Sequence, residues 1–136
     1  MNRLKLLCLL PCLLWGLIAY AKQTNLEQIN APSSLENIHV VKLATDVRAT
    51  DFVIFIKDKV PDHKHLTHTE TILVLEGSGK MRLGDKVLNI VPGDYVRVGQ
   101  GVVHGVKVTS SVPLKVLSVQ APEFLGKDRV WVPSGE

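Results

Sequence analysis

After position 21 the chain contains no cysteine. Both cysteines of the 136-residue sequence, Cys8 and Cys12, lie in its first 21 residues. The 115 residues that follow can form no disulfide, no thiolate nucleophile and no cysteine metal ligand. Aromatic residues are scarce at 5%, and Tyr95 is the only tyrosine beyond position 21. No basic stripe interleaves with aromatics, which leaves no basis for a nucleic-acid partner. No window of the sequence carries a helical apolar stripe. There is no tandem repeat, no low-complexity tract and no G-x-S-x-G elbow for serine hydrolysis. Gly77-Ser78-Gly79 lacks the following helix and lysine of a phosphate loop; a hairpin turn explains it. At 46% hydrophobic and 21% charged, the chain is neither disordered nor polytopic. Its length fits one domain with a targeting segment.

The first residues supply that segment. Arg3 and Lys5 precede an uncharged apolar run from Leu6 to Ile18, and Ala19-Tyr20-Ala21 ends it. A basic start, a short apolar centre and a small-x-small end make a secretory signal peptide, residues 1–21, cleaved after Ala21. As an uncleaved anchor the run is short against the roughly 20 residues of a span, and Pro11 interrupts it. A lipoprotein site at Cys12 lacks the small residues that should precede it, since Leu10-Pro11 stands there. The expected product is periplasmic or secreted and free of the membrane. Its 14 basic side chains against 13 acidic ones leave a net charge of +1, so the basicity of the whole chain belongs largely to the signal.

Residues 22–37 are polar, include Pro32-Ser33-Ser34, and read as an N-terminal arm or linker with room for one helical turn. From Ile38 to the end, residues 38–136, valine, isoleucine and leucine recur in short runs between turn residues. Nineteen of the 115 residues are valine, which favours strands. Strands are expected at Ile38–Leu43, Phe52–Lys59, Thr71–Glu76, Lys80–Leu83, Val87–Val91, Tyr95–Val98, Val102–Val108 and Leu114–Gln120. A terminal edge strand is expected at Arg129–Val132. The start of Phe52–Lys59 is apolar throughout and should be buried on both faces. Short strands at near-regular spacing predict an all-β sandwich or barrel.

Three of the five histidines crowd into His63-Lys64-His65-Leu66-Thr67-His68. His63 and His65, two apart on a strand, face the same side. Glu70 can return to them after a short bend, and His104 begins a distant strand. Three imidazoles and a carboxylate suit Mn, Fe, Co, Ni, Cu or Zn rather than Ca or Mg, and leave coordination positions open for water or substrate. An isolated H-x-H is more often a surface run near a turn, so the surroundings decide.

Those surroundings resemble the cupin superfamily. Its first motif, G-x5-H-x-H-x3–4-E-x6-G, is matched by His63-x-His65-x4-Glu70-x6-Gly77, with the leading glycine absent. Its second, G-x5-P-x-G-x2-H-x3-N, is matched by Gly93-x5-Gly99-x-Gly101-x2-His104-x3-Val108. Gly99 replaces the motif's proline and Val108 its asparagine. Ser78–Pro92 corresponds to the hairpin between the motifs, and the resemblance spans about residues 52–120. It implies a single-domain jelly-roll β-barrel and one divalent transition metal (Mn, Fe, Ni, Cu or Zn) on His63, His65, Glu70 and His104. It further implies a small-molecule ligand or substrate and a homodimer.

The ligand set does not choose among the family's oxygenases, isomerases, lyases and decarboxylases, or between an enzyme and a non-catalytic binding or sensing module. Cupins with a Cys–Tyr cross-link are excluded, because no cysteine remains. No catalytic residue beyond the ligands stands out. His68, two residues from Glu70, is a spare ligand, a partner of a ligand, a substrate contact or a surface residue. His39 reads as a partly exposed strand residue and Tyr95 as packing. Phe124 and Trp131 could cover a barrel end, and Glu123, Lys127, Asp128 and Arg129 read as a solvated tail. Candidates for the barrel interior are Phe55, Met81, Arg82 and Lys107.

Overall fold

The computed structural model describes residues 21–133. The expected export signal, residues 1–21, therefore lies outside the described residues except for Ala21. Among the described residues no helix is long and apolar enough to cross a membrane. A 3-10 turn at Leu26–Gln28 is capped by the Asn25 side chain, which accepts from Glu27 N at 2.9 Å. Ten strands follow: β1 (Ile38–Thr45), β2 (Thr50–Ile56), β3 (Lys59–His65), β4 (Thr69–Glu76), β5 (Gly79–Leu83), β6 (Lys86–Ile90), β7 (Tyr95–Val98), β8 (His104–Val108), β9 (Leu114–Ala121) and β10 (Arg129–Trp131).

They form two five-stranded antiparallel sheets, ordered β1-β2-β9-β4-β7 and β10-β3-β8-β5-β6. The all-β jelly-roll barrel expected from the sequence is the observed architecture. Between the sheets lie Ile56, Ile72, Val74, Met81, Ile90, Val96, Val98, Leu114 and Val116. Each such side chain removed from water stabilises the fold by about 1.5–3 kcal/mol before entropic costs. β2 is buried on both faces, as its composition implied, with Phe52 and Ile56 on one face and Val53 and Phe55 on the other. The segment before β1 is fastened to the barrel. Lys115, itself buried, donates to Leu26 O at 2.7 Å, and the Asn37 side chain accepts from Asp58 N and Lys59 N.

The sequence and the structure differ most around residue 58. One strand is expected at Phe52–Lys59, but β2 ends at Ile56 and a new strand begins at Lys59. β3 reads Lys-Val-Pro-Asp-His-Lys-His and carries one aliphatic side chain, so neither alternation nor apolar content marks it. Its ladder to β8 explains why a proline is tolerated there. Val60 pairs with Val106 and His63 with His104, so Pro61 and Asp62 together oppose the single residue Gly105. This is a β-bulge, where a missing N–H costs no ladder bond. The bulge also resets the inward face. Val60 and His63, three apart, both line the interior, which a regular strand would forbid.

Gly105 makes the bulge sterically feasible. A Cβ there would press on Asp62 Oδ1 and stand 2.9 Å from Val60 O. Gly105→Ala is therefore expected to destabilise the protein by about 1–3 kcal/mol, as overpacking does. Urea denaturation measures this; a loss under about 0.3 kcal/mol would show that the bulge has room to spare.

Candidate metal centre

His63 and His65 hang from β3, Glu70 from β4 and His104 from the start of β8, all four buried. The ladder places His63 directly across from His104, with ring centroids 4.1 Å apart. The loop between β7 and β8 delivers His104 to that position. Gly101 adopts φ +75 there, and its N–H donates to His65 O at 2.7 Å, so the two histidine segments are tied together. One potential ligand atom from each of the four residues lies within 4.8 Å of the others. The structure thus brings together the four side chains singled out in the sequence.

The hydrogen bonds around them define which atoms face inward. His63 Nδ1 lies 2.9 Å from Pro61 O and His104 Nδ1 lies 3.0 Å from Val102 O. A carbonyl only accepts, so each Nδ1 carries the proton and each Nε2 keeps a lone pair. Yet His104 Nε2 and His65 Nε2 sit 3.1 and 3.3 Å from Glu70 Oε2, another acceptor. Neutral His104, with one N–H, cannot satisfy acceptors at both of its nitrogens. A cation shared by the Nε2 atoms and Oε2 removes the conflict. Two ligand atoms about 2.1 Å from one ion at a right angle stand about 3.0 Å apart, close to the separations found. The buried His–Glu group fits a metal site.

Glu70 is prepared for that role from behind. Ser118 Oγ donates to its Oε1, and Gln120 Nε2 reaches the same oxygen at 3.5 Å. Burial pushes the Glu70 carboxyl upward, but the approach of the His104 and His65 rings and the hydrogen bond from Ser118 outweigh this and hold it well below the usual carboxylate range. His63 moves the other way for an imidazole. Burial, with the charge of His104 adding to it, lowers its pKa to about 4 against the opposing bond to Pro61 O. A carboxylate and neutral imidazoles are the protonation states that metal binding requires.

Behind these residues lies a cavity of about 90 Å³. Its walls are aliphatic, from Ile54, Ile56, Ile72, Met81, Ile90 and Leu114 among others, with His63, Glu70 and His104 at one end. Arg129 of β10 also lines it, its guanidinium 5.4 Å over the Trp131 ring. Of the residues expected to point inward, only Met81 does. Phe55 is buried on the opposite face of β2, under the Lys115 ammonium at 5.4 Å. Arg82 pairs with Asp62 at 2.8 Å, and Lys107 is exposed. Arg82 and Lys107 each follow a cavity-lining residue, Met81 and Val106, and alternation turns them outward.

Other expectations resolve individually. His68 is buried, and its Nε2 donates to Glu123 O at 2.8 Å while Nδ1 bonds Asp128 Oδ2, so it is neither a surface residue nor a ligand of the four-residue group. Burial lowers its pKa, but the bonds to Glu123 O and Asp128 prevail and raise it. Asp128 corrects the reading of a solvated tail: it is buried and accepts from Leu66 N, Thr67 N, Thr67 Oγ1 and His68 N. Lys127 and Arg129 are exposed as that reading held. Phe124 packs edge-on against Phe52 and His68 and closes one end of the barrel. Tyr95 is exposed rather than packed, and His39 is partly exposed as expected.

Sequence reasoning missed Ser118, Gln120 and Asp128. The first two had a signal, because Leu114, Val116, Ser118 and Gln120 share one face of β9, and that face turns from apolar to polar toward its end. Asp128 had none, since nothing in its neighbourhood announces a partner 60 residues away.

Two outcomes follow. Ser118→Ala strips Glu70 Oε1 of its short donor and is expected to cost about 1–3 kcal/mol in denaturant unfolding. In the metal-free protein the His63 ring should titrate near 4 by NMR. The unfolded chain takes up this proton near 6.5 and the folded chain only near 4, so the contribution of His63 to stability falls as pH drops through that window. A ring that titrates near 6.5 would contradict the burial argument.

Comparison with known proteins agrees with this arrangement. Residues 52–120 match the cupin domain family. An uncharacterized protein of Aquifex aeolicus is 33% identical over 99 residues, covering 73% of this chain and 81% of that one. Quercetin 2,3-dioxygenase of Bacillus subtilis is 34% identical over 65 residues, 48% of this chain but only 19% of the enzyme. A crystal structure of a protein with a double-stranded β-helix domain from Klebsiella pneumoniae superposes with a TM-score of 0.71 at 18% identity, covering 85% of this chain and all of that one. On the matched motifs, the barrel and these relatives, the chain belongs to the cupin family.

Proposed function

We propose that this cupin is an exported metalloenzyme that holds one divalent transition ion (Mn, Fe, Ni, Cu or Zn) on His63, His65, Glu70 and His104. Its substrate is a small, largely apolar molecule presented through an oxygen donor. The observation that carries the reading is the buried convergence of two Nε2 atoms on Glu70 Oε2, where the His104 lone pair opposes a carboxylate oxygen and a cation would relieve it. A bound ion of this kind polarises a carbonyl or carboxylate oxygen, lowers the pKa of water, or, if redox-active, handles oxygen.

The chain's own residues do the rest. Pro61 O and Val102 O fix the tautomers of His63 and His104 and keep both Nε2 atoms turned inward. Ser118 and Gln120 hold one oxygen of Glu70, so the carboxylate presents the other without rotating. Its depressed pKa makes Glu70 an anionic ligand and a poor proton acceptor. The aliphatic walls exclude water and accept an apolar body, while Arg129 meets a negative or carbonyl group at the cavity. The resemblance to a quercetin dioxygenase over its matched segment supports an oxygenase as the first reaction type to test, ahead of isomerases and lyases.

A second reading has its own support. The described cavity offers no acid–base pair apart from the ligands, which suits a binding or sensing module that holds such a molecule unchanged. Residues 1–21 support export with cleavage after Ala21, into the periplasm or beyond. Ile38 and Val40, 41% and 49% exposed on edge strand β1, support a homodimer.

Metal analysis of residues 22–136, purified without a histidine tag, tests the reading. The expected result is about one ion per chain, lost in the His63→Ala/His104→Ala double variant. The native protein alone should gain about 2.7 kcal/mol in stability at an ion concentration 100 times its Kd. A native protein that takes up none of the five metals sinks the metalloenzyme. Turnover of small oxygenated aromatic or aliphatic compounds by the loaded protein then separates the enzyme from the binding module.

A further inference from the structure

His65 differs from the other two histidines of the cluster. His63 and His104 each find a carbonyl for Nδ1, whereas the Nδ1 of fully buried His65 has no hydrogen-bond partner. The polar group it faces is Asp128 Oδ2, 3.7 Å away. That is beyond hydrogen-bond length and too close to admit a water between them.

Asp128 is itself immobilised. Its Oδ1 accepts from Leu66 N at 3.1 Å, Thr67 N at 2.9 Å and Thr67 Oγ1 at 2.8 Å. Its Oδ2 accepts from His68 N at 3.0 Å and from the His68 ring. Leu66 N also bonds Asp128 O, and β10, immediately after Asp128, pairs with His63, Lys64 and His65. The carboxylate is thus held in place by the segment that joins β3 to β4, between two of the candidate ligands and the third.

His65, His68 and Asp128 also form a second group of potential ligands. They are poorly suited to a second ion. Both nitrogens of His68 are committed to acceptors, and both oxygens of Asp128 to donors. The His65 ring lies between two carboxylates, Glu70 Oε2 at 3.3 Å from Nε2 and Asp128 Oδ2 at 3.7 Å from the unpartnered Nδ1.

We infer that Asp128 is a positioning residue for the metal centre: its charge favours the Nδ1–H tautomer of His65 against the pull of Glu70 at Nε2, and so frees the Nε2 lone pair for the ion. This rests on the metal reading for its consequence, but not for the tautomer itself. Asp128 lies outside residues 52–120, so the C-terminal segment, beyond the matched family domain, would contribute to metal affinity.

The test has two arms. Nitrogen-15 NMR of the metal-free native protein should show a population of the Nδ1–H tautomer of His65 beside the Nε2–H form that Glu70 favours. In Asp128→Asn that population should fall, with His63 and His104 unchanged. Competition with a chelator for Co(II) or Zn(II) should show a 10–100-fold loss of affinity in Asp128→Asn, the range found when partners of ligating histidines are removed. Thr67→Ala, which removes one donor to Asp128 but leaves its charge, should stay within about threefold of the native protein on the same scale. A native His65 wholly protonated at Nε2, or a variant with both tautomer and affinity unchanged, overturns the inference. If Asp128→Asn does not fold, the native tautomer decides alone. If the native protein binds neither ion, the metal reading fails and the tautomer arm still decides the role of Asp128.

Discussion

A buried carboxylate organises this barrel. Glu70 is almost out of contact with solvent, and an isolated charge there would be prohibitively costly. It is tolerated because two groups on β9 approach one oxygen while two imidazoles approach the other. Each requirement propagates. β9 must change from aliphatic to hydrogen-bonding side chains halfway along its inner face. β3 must bulge so that His63 and His65 turn inward. The loop before β8 must bend at Gly101 so that His104 arrives across from His63. The bulge of β3 and the bend at Gly101 both serve this one side chain.

The same arrangement divides the interior. Toward Leu114, Val116 and Ile90 the barrel is aliphatic; toward Glu70 it is polar and bonded internally, except at His65 Nδ1 and Gln120 Oε1. A molecule entering the cavity meets a wall that offers dispersion and desolvation, then a single cluster able to recognise a donor atom. Such a site orients a ligand by polarity, head toward the histidines and body toward the aliphatic wall, and it discriminates weakly among bodies of similar shape.

The fold was legible because its strands are short, valine-rich and separated by strong turn residues. β7 matches its expected bounds, and most others differ by a residue or two. β3 was the exception: Pro61 and Asp62 contradict every local strand preference, and only the bulge opposite Gly105 reconciles them. Four candidate ligands could be named because His63, His65 and Glu70 are close in sequence and His104 follows a recognisable glycine spacing. Their supporting shell was less visible. Ser118 and Gln120 look like ordinary outward polar residues of a strand until the face of β9 is known. Asp128 sits among Lys127 and Arg129 in what reads as a charged tail; its burial is decided by Thr67 and His68, far away in the chain. Long-range pairing of this kind leaves no periodicity to read.

The four candidate ligands are not drawn from one layer. His63, His65 and His104 belong to the sheet of β3 and β8, and Glu70 to the sheet of β4 and β9. The cluster therefore straddles the seam between the two halves of the sandwich. Any breathing that parts the layers draws the carboxylate away from the imidazoles, and any contact that clamps Glu70 to the histidines restrains that breathing. The site is in this sense a gauge of barrel width, and chemistry at its centre is mechanically linked to the separation of the sheets.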